Sequence, residues 1–252
     1  MKTTPQGSEI QVLADASALA EFALAQLIQI ARDAIVARGR FCIALAGGST
    51  PHLLYTNLTR PEKLAQIDWS SVLVYWGDER CVQPDDPDSN YLMVRQALLD
   101  HVPLLAENVH RICGELEPER AAQMYEAELR QVSPGAKIPR FDLVLLGLGE
   151  DGHTASLFPG SSALSETKRW VVSVEHTVPP PPLVARISLT LPVFNAAANL
   201  IFLVSGSGKA GIFSRVMQNV DRPDVFPAQL VQPKNGRLVW AVDRLAAGEY
   251  LK

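Results

Sequence analysis

The sequence predicts an α/β fold, a single-domain, doubly wound and largely parallel sheet flanked by helices, and three observations lead to it. Short continuous apolar runs recur along the 252 residues, each bounded by Gly, Pro or polar turn residues, as strands buried on both faces of a parallel sheet are. Amphipathic helical patterns lie between these runs, and strands alternating with helices read as βαβ units. Composition allows a large core, with 47% hydrophobic and 20% charged residues, and the length suits one α/β domain spanning residues 1–252.

Taken in order, Leu13 to Arg38 places Leu24, Leu27, Ile28, Ala31 and Ile35 on one helical face, with Asp15 or Ser17 as N-cap and Gly39 as the stop. Phe41 to Ala46 is the first buried strand and Pro51 to Leu58 the next helix. Ser71 to Trp76 is a strand, and Asn90 to Asp100 a helix capped by Ser89. The helix Pro118 to Val132 leads to the strand Phe141 to Leu146, and two weaker strand patterns follow at Trp170 to Val174 and Val184 to Leu189. Asn199 to Val204 and Leu238 to Val242 are strands on either side of a helix from Lys209 to Val220. Pro179 to Pro182 is a stiff loop rather than a linker, and no internal repeat is seen.

Composition excludes several classes of function. The formal charge is −4 with no dense run of Lys or Arg, so nucleic acid is not an expected partner, and an anionic ligand would need positive charge gathered locally. Cys42, Cys81 and Cys113 are odd in number and far apart, which fits reduced thiols and a cytoplasmic location. No secretory signal pattern and no apolar run of about 18 residues is present, so no membrane association is expected. His52, His101, His110, His153 and His176 show no metal-ligand spacing, and neither G-x-S-x-G nor H-E-x-x-H occurs. No metal and no cofactor are expected.

Ligands of open α/β sheets collect beyond the carboxyl ends of the strands, so the residues there are the candidates for function. Gly47-Gly48-Ser49-Thr50-Pro51 combines glycines that permit close backbone approach with a helix start that aims N–H groups at an anion, although a simple capped turn would look the same. In Gly77-Asp78-Glu79-Arg80, Arg80 is suited to a phosphate and Asp78 to a sugar hydroxyl or a proton; a solvated loop with an internal ion pair is the alternative. Gly147-Leu148-Gly149-Glu150-Asp151-Gly152-His153-Thr154 matches G-x-G-x-x-G, but Glu150 and Asp151 would repel a pyrophosphate, so a dinucleotide site is excluded. A His beside an Asp in such a loop instead suits a general base whose tautomer is set by a carboxylate. Gly206-Ser207-Gly208-Lys209-Ala210-Gly211 misses the Walker pattern at Leu203 and Ala210, which leaves Lys209 at a helix start as a point charge for a phosphate monoester.

Together, AGGSTP at 46–51, WGDERCVQPDDPDSNYLM at 76–93, FDLVLLGLGEDGHTASLFPGS at 141–161, ARISLT at 185–190 and SGSGKA at 205–210 resemble the 6-phosphogluconolactonase family, whose relatives are the glucosamine-6-phosphate deaminases. The resemblance implies a sugar-phosphate isomerase-like fold and hydrolysis of 6-phospho-D-glucono-1,5-lactone in the pentose phosphate pathway, without metal or cofactor. It implies His153 as general base held by Asp151, with Arg80 and Lys209 on the phosphate, assisted by Gly47, Gly48, Ser49, Thr50 and Arg186. The deaminases carry a Glu where this chain has Phe158, which favours the lactonase over a deaminase or a non-catalytic sugar-phosphate binder. A monomer or weak homodimer is expected.

Overall fold

The structure is a computed structural model in which residues 2–3, 7–133, 135–177, 179, 181–218, 226–248 and 250 are described. Its strands are β1 (Lys2–Thr3), β2 (Glu9–Leu13), β3 (Phe41–Leu45), β4 (Val72–Trp76), β5 (Asp78–Arg80), β6 (Val109–His110), β7 (Leu143–Gly147), β8 (Val171–Val174), β9 (Arg186–Leu189), β10 (Asn199–Val204) and β11 (Arg237–Asp243). Its helices are α1 (Ala16–Arg38), α2 (Ser49–Leu58), α3 (Pro61–Leu64), α4 (Asn90–Ala97), α5 (Pro118–Val132), α6 (Leu191–Phe194), α7 (Ala210–Met217) and α8 (Arg244–Ala247).

Eight strands form the main sheet in the order β1-β2-β11-β10-β7-β3-β4-β6. All neighbours run parallel except β1 against β2. Parallel strands covered by helices on both faces must be apolar throughout, which is why Leu143, Val144, Leu145 and Leu146 are all buried. Across the sheet, α1 packs on β11, β10 and β3 with α2 alongside, and Trp240 stacks on Phe202 with ring centres 3.8 Å apart. The end signals of α1 act as their chemistry suggests: the Asp15 carboxylate accepts from the Ala18 N–H at 2.8 Å, and Gly39, at φ 71°, turns the chain out of the helix.

From β3 the chain builds outward through β4 and β6, then returns to lay β7 on the other side of β3. The crevice beyond the carboxyl ends of β3 and β7 is therefore the topological switch point of the sheet.

Three elements depart from the expectations. A strand, β2, occupies Glu9–Leu13, so α1 starts at Ala16 and Leu13 lies in the sheet; its pairing with β11 joins residues more than 220 positions apart and cannot be seen locally. The weaker strands β8 and β9 leave the parallel sheet and pair antiparallel, with β5 on the free edge of β9, as a separate three-stranded sheet. The segment Asp78–Arg80 is thus a strand and not a loop. The helix expected from Lys209 begins as a tight turn at Ser207–Lys209 and continues as α7; Val220 falls outside the described residues.

Candidate active site

A cavity of about 410 Å³ opens at the switch point. Gly47, Gly48, Ser49, Thr50, Asp78, Arg80, His153, Arg186 and Lys209 all line it, and Asp151 stands behind His153. Five separate stretches of sequence thus converge on one space, although Arg186 alone lies on a weak strand pattern rather than a Gly-rich turn.

Two glycine turns flank β7. At the end of β3, Gly48 adopts φ 101°, and α2 begins at Ser49 without a side-chain cap. Helix geometry leaves the N–H groups of Ser49 and Thr50 without intrahelical acceptors, and both residues border the cavity. At the end of β10, Gly206 repeats the conformation at φ 97°. There the buried Asp243 carboxylate accepts from the Gly206 N–H at 3.0 Å and from Ser205 Oγ at 2.5 Å, which fixes the turn that carries Lys209.

The loop after β7 shapes the histidine. Gly149 N–H donates to the His153 carbonyl at 2.8 Å, and Gly152, at φ 85°, makes the reversal between them. His153 Nδ1 lies 2.5 Å from Asp151 Oδ1, which also accepts the His153 backbone N–H at 3.1 Å. Burial opposes ionisation of Asp151, but its hydrogen bonds and charge interaction with His153 outweigh this and hold its carboxyl below the usual range. An ionised Asp151 accepts the proton of Nδ1, and Nε2 is the ring nitrogen left free of that bond. On its other side the imidazole meets Phe158, with ring centres 4.7 Å apart, and Phe158 stacks in turn on His176 at 4.1 Å. No carboxylate stands at position 158 to relay a proton.

Beyond Phe158, over whose ring the Arg186 guanidinium lies at 5.9 Å, the antiparallel ladder pairs Arg186 with Arg80. Arg80 Nη1 donates to the Asp88 carbonyl at 2.5 Å and Arg186 Nη2 to the Pro182 carbonyl at 3.0 Å. Burial and the neighbouring charge of Arg80 both push the Arg186 guanidinium down in pKa, because each penalises the cation. Two guanidiniums held together in a lined cavity make a strong seat for a doubly charged anion, which would relieve their repulsion.

Three residues escaped sequence reasoning. Ser156 Oγ donates to Asp78 Oδ2 at 2.6 Å, tying the histidine loop to β5; it follows Ala155, whose φ of 47° is unusual for a side-chain-bearing residue. Asn90, read only as the start of a helix, donates from Nδ2 to the Asp78 carbonyl at 3.0 Å, and a Cβ on Gly47 would come 1.9 Å from its Oδ1. That overlap is the physical reason for the first glycine of the turn, but the partner of a missing Cβ leaves no trace in sequence. Glu79, buried between Asp78 and Arg80, is the third.

Comparison with known proteins points the same way. Residues 14–240 match the family described as glucosamine-6-phosphate isomerases/6-phosphogluconolactonase. The chain is 40% identical over 248 residues to a 6-phosphogluconolactonase of Synechocystis, covering 97% of this chain and 98% of that one. It is 39% identical over 244 residues to a 6-phosphogluconolactonase of Nostoc, covering 95% and 97%. Among solved structures, 6-phosphogluconolactonase from Trypanosoma brucei superposes with a TM-score of 0.82 at 29% identity, over 96% of this chain and 98% of that one.

Proposed function

The chain belongs to the family of glucosamine-6-phosphate isomerases and 6-phosphogluconolactonases, and from that premise we propose that it hydrolyses 6-phospho-D-glucono-1,5-lactone to 6-phosphogluconate, in the pentose phosphate pathway, by histidine-assisted attack of water. The observation that carries this reading is the pairing of His153 with Asp151 at the cavity, Phe158 beside the ring, and Arg80 with Arg186 on the adjacent strands β5 and β9. That set offers a base and an anion seat, and at position 158, where the deaminases carry a Glu, it places a phenyl ring that cannot relay a proton.

In this mechanism His153 Nε2 takes a proton from water as the oxygen adds to the lactone carbonyl carbon C1. Asp151 holds the imidazolium that forms, and backbone N–H groups of the glycine turns stabilise the oxyanion. Collapse of the tetrahedral intermediate breaks the C1–O5 bond, the ring oxygen takes the proton back from His153, and the new carboxylic acid ionises. Arg80, Arg186, Lys209 and the Gly47 to Thr50 turn hold the phosphate, which fixes C1 relative to His153. Asp78, locked by Ser156, orients a sugar hydroxyl.

The reading includes a single-domain enzyme of the cytoplasm, working as a monomer or weak homodimer; the free thiols of Cys42, Cys81 and Cys113 fit a reducing compartment. Among the described residues no helix is long and apolar enough to cross a membrane.

The test generates the lactone in situ with glucose-6-phosphate dehydrogenase and follows acid release with and without the protein. Acceleration above spontaneous hydrolysis supports the assignment. No acceleration, or ammonia release from glucosamine 6-phosphate instead, would refute it.

A further inference from the structure

Glu79 is a carboxylate in the wrong place for ordinary surface chemistry. Its side chain is 2% exposed, and strand alternation points it away from the face that carries Asp78 and Arg80 into the cavity. Four donors converge on it: the N–H groups of Arg80 and Asn90 reach Oε1, each at 2.7 Å, while the Tyr91 N–H at 2.7 Å and Ser89 Oγ at 3.2 Å reach Oε2. One side chain thus fastens the first turn of α4 to β5, and both ends of that clamp carry residues of the site. Asn90 fills the notch above Gly47 and bonds the Asp78 carbonyl, while Arg80 faces Arg186.

We propose that Glu79 is a positioning residue for substrate binding: its ionised carboxylate clamps the start of α4 to β5 and so sets Asn90, the Gly47 turn and Arg80 around the phosphate. A carboxylate can accept all four hydrogen bonds, whereas an amide must turn its N–H groups toward the Tyr91 N–H or toward the Arg80 and Asn90 N–H groups, and a carboxyl must give up Ser89 as a donor and turn its own O–H onto Ser89 Oγ. The clamp is therefore whole only when Glu79 is charged. Burial pushes its carboxyl up to about 7 against the pull of the three backbone N–H groups, with Asp78 adding to the rise. The other titratable and charged groups coupled to it are Cys81 on its own segment and Arg186 from β9. Ionisation thus falls near neutrality, and site geometry is coupled to pH.

This inference rests on the proposed lactonase activity, and the experiment separates the two: wild-type turnover is measured first, and only an active wild type is carried further. Glu79→Gln keeps the shape and removes the charge. At pH 8 its KM for the lactone should rise about tenfold, the scale of one charge-assisted hydrogen bond, with kcat lowered less than about threefold. The ratio of variant to wild-type KM should then shrink toward one by about pH 6, because the wild-type carboxyl protonates while the ionisation of the substrate phosphate, near 6, is common to both proteins and cancels. A lowered KM in the variant would show that Glu79 acts only as a charge opposing the phosphate, and would overturn the clamp. So would a KM ratio that does not change with pH, or a loss of kcat that tracks unfolding. Should Glu79→Gln not fold, Ser89→Ala removes one donor together with the cap on the Leu92 N–H, and predicts a two- to threefold rise in KM at pH 8 that fades by about pH 6; an unchanged KM, or a rise equal at both pH values as loss of the cap alone would give, overturns the proposal equally.

Discussion

Replacing Gly149 with alanine should disable the histidine without touching the phosphate seat. A Cβ on Gly149 would sit 2.1 Å from His153 Nδ1 and 2.2 Å from Cε1, where ordinary contact needs 3.4 Å or more. The imidazole must therefore retreat by more than about 1 Å, and its 2.5 Å bond to Asp151 cannot survive that displacement. Misplacement of a reacting group on this scale costs about 10²-fold in rate. Gly149 has no left-handed φ, so alanine is allowed by the backbone, and its N–H can still donate to the His153 carbonyl. Steady-state rates with lactone formed in situ should show kcat down about 10²-fold with KM within about threefold, and thermal unfolding should confirm a folded protein. A folded Gly149→Ala variant with kcat within threefold of wild type would refute the placement of His153 against Asp151 as the catalytic geometry.

The other predictions concern the same site. Asp151→Asn removes a charge-assisted bond from a side chain about one-third exposed, and should lower kcat about 10- to 100-fold with little change in KM; steady-state kinetics decides. Arg186→Met should raise KM at least tenfold and abolish the thermal stabilisation given by 6-phosphogluconate, yet leave the unliganded protein no less stable, since it removes a buried cation facing Arg80; a large fall in unliganded Tm would contradict the repulsion argument. Glu79 carries a stability signature of defined sign: its carboxyl lies near 7 in the folded protein against an ordinary 4.5, so the folded state binds the extra proton and stability from this group is lost as pH rises through 7. Urea titrations from pH 5 to 8 should therefore show Glu79→Gln gaining up to about 3 kcal/mol relative to wild type; a constant difference would refute it.

How much of this was legible in sequence followed from how local each cause is. The buried parallel strands declare themselves because both faces need apolar side chains, so Asn199–Val204 and the helix Pro118–Val132 were placed to the residue. Gly-rich strand ends carried most of the site for the same reason, since their backbone demands are written in the glycines themselves. The sheet of β5, β8 and β9 was not legible as a sheet, because Asp78-Glu79-Arg80 looks like solvated loop until Ser89, Asn90 and Tyr91 supply the donors that let Glu79 be buried. Arg186 became a neighbour of Arg80 only through that pairing. Ser156 and Asn90 were passed over because each acts through a partner distant in sequence, Asp78 for one and the absent Cβ of Gly47 for the other.

The central claim is that His153, held by Asp151, activates the water that opens the lactone. The most direct measurement compares initial rates of acid formation by wild type and His153→Ala, each corrected for spontaneous hydrolysis, at saturating lactone and matched folded fraction. The account predicts kcat lower by about 10² to 10⁴ with 6-phosphogluconate still bound. Turnover within a few-fold of wild type would contradict it.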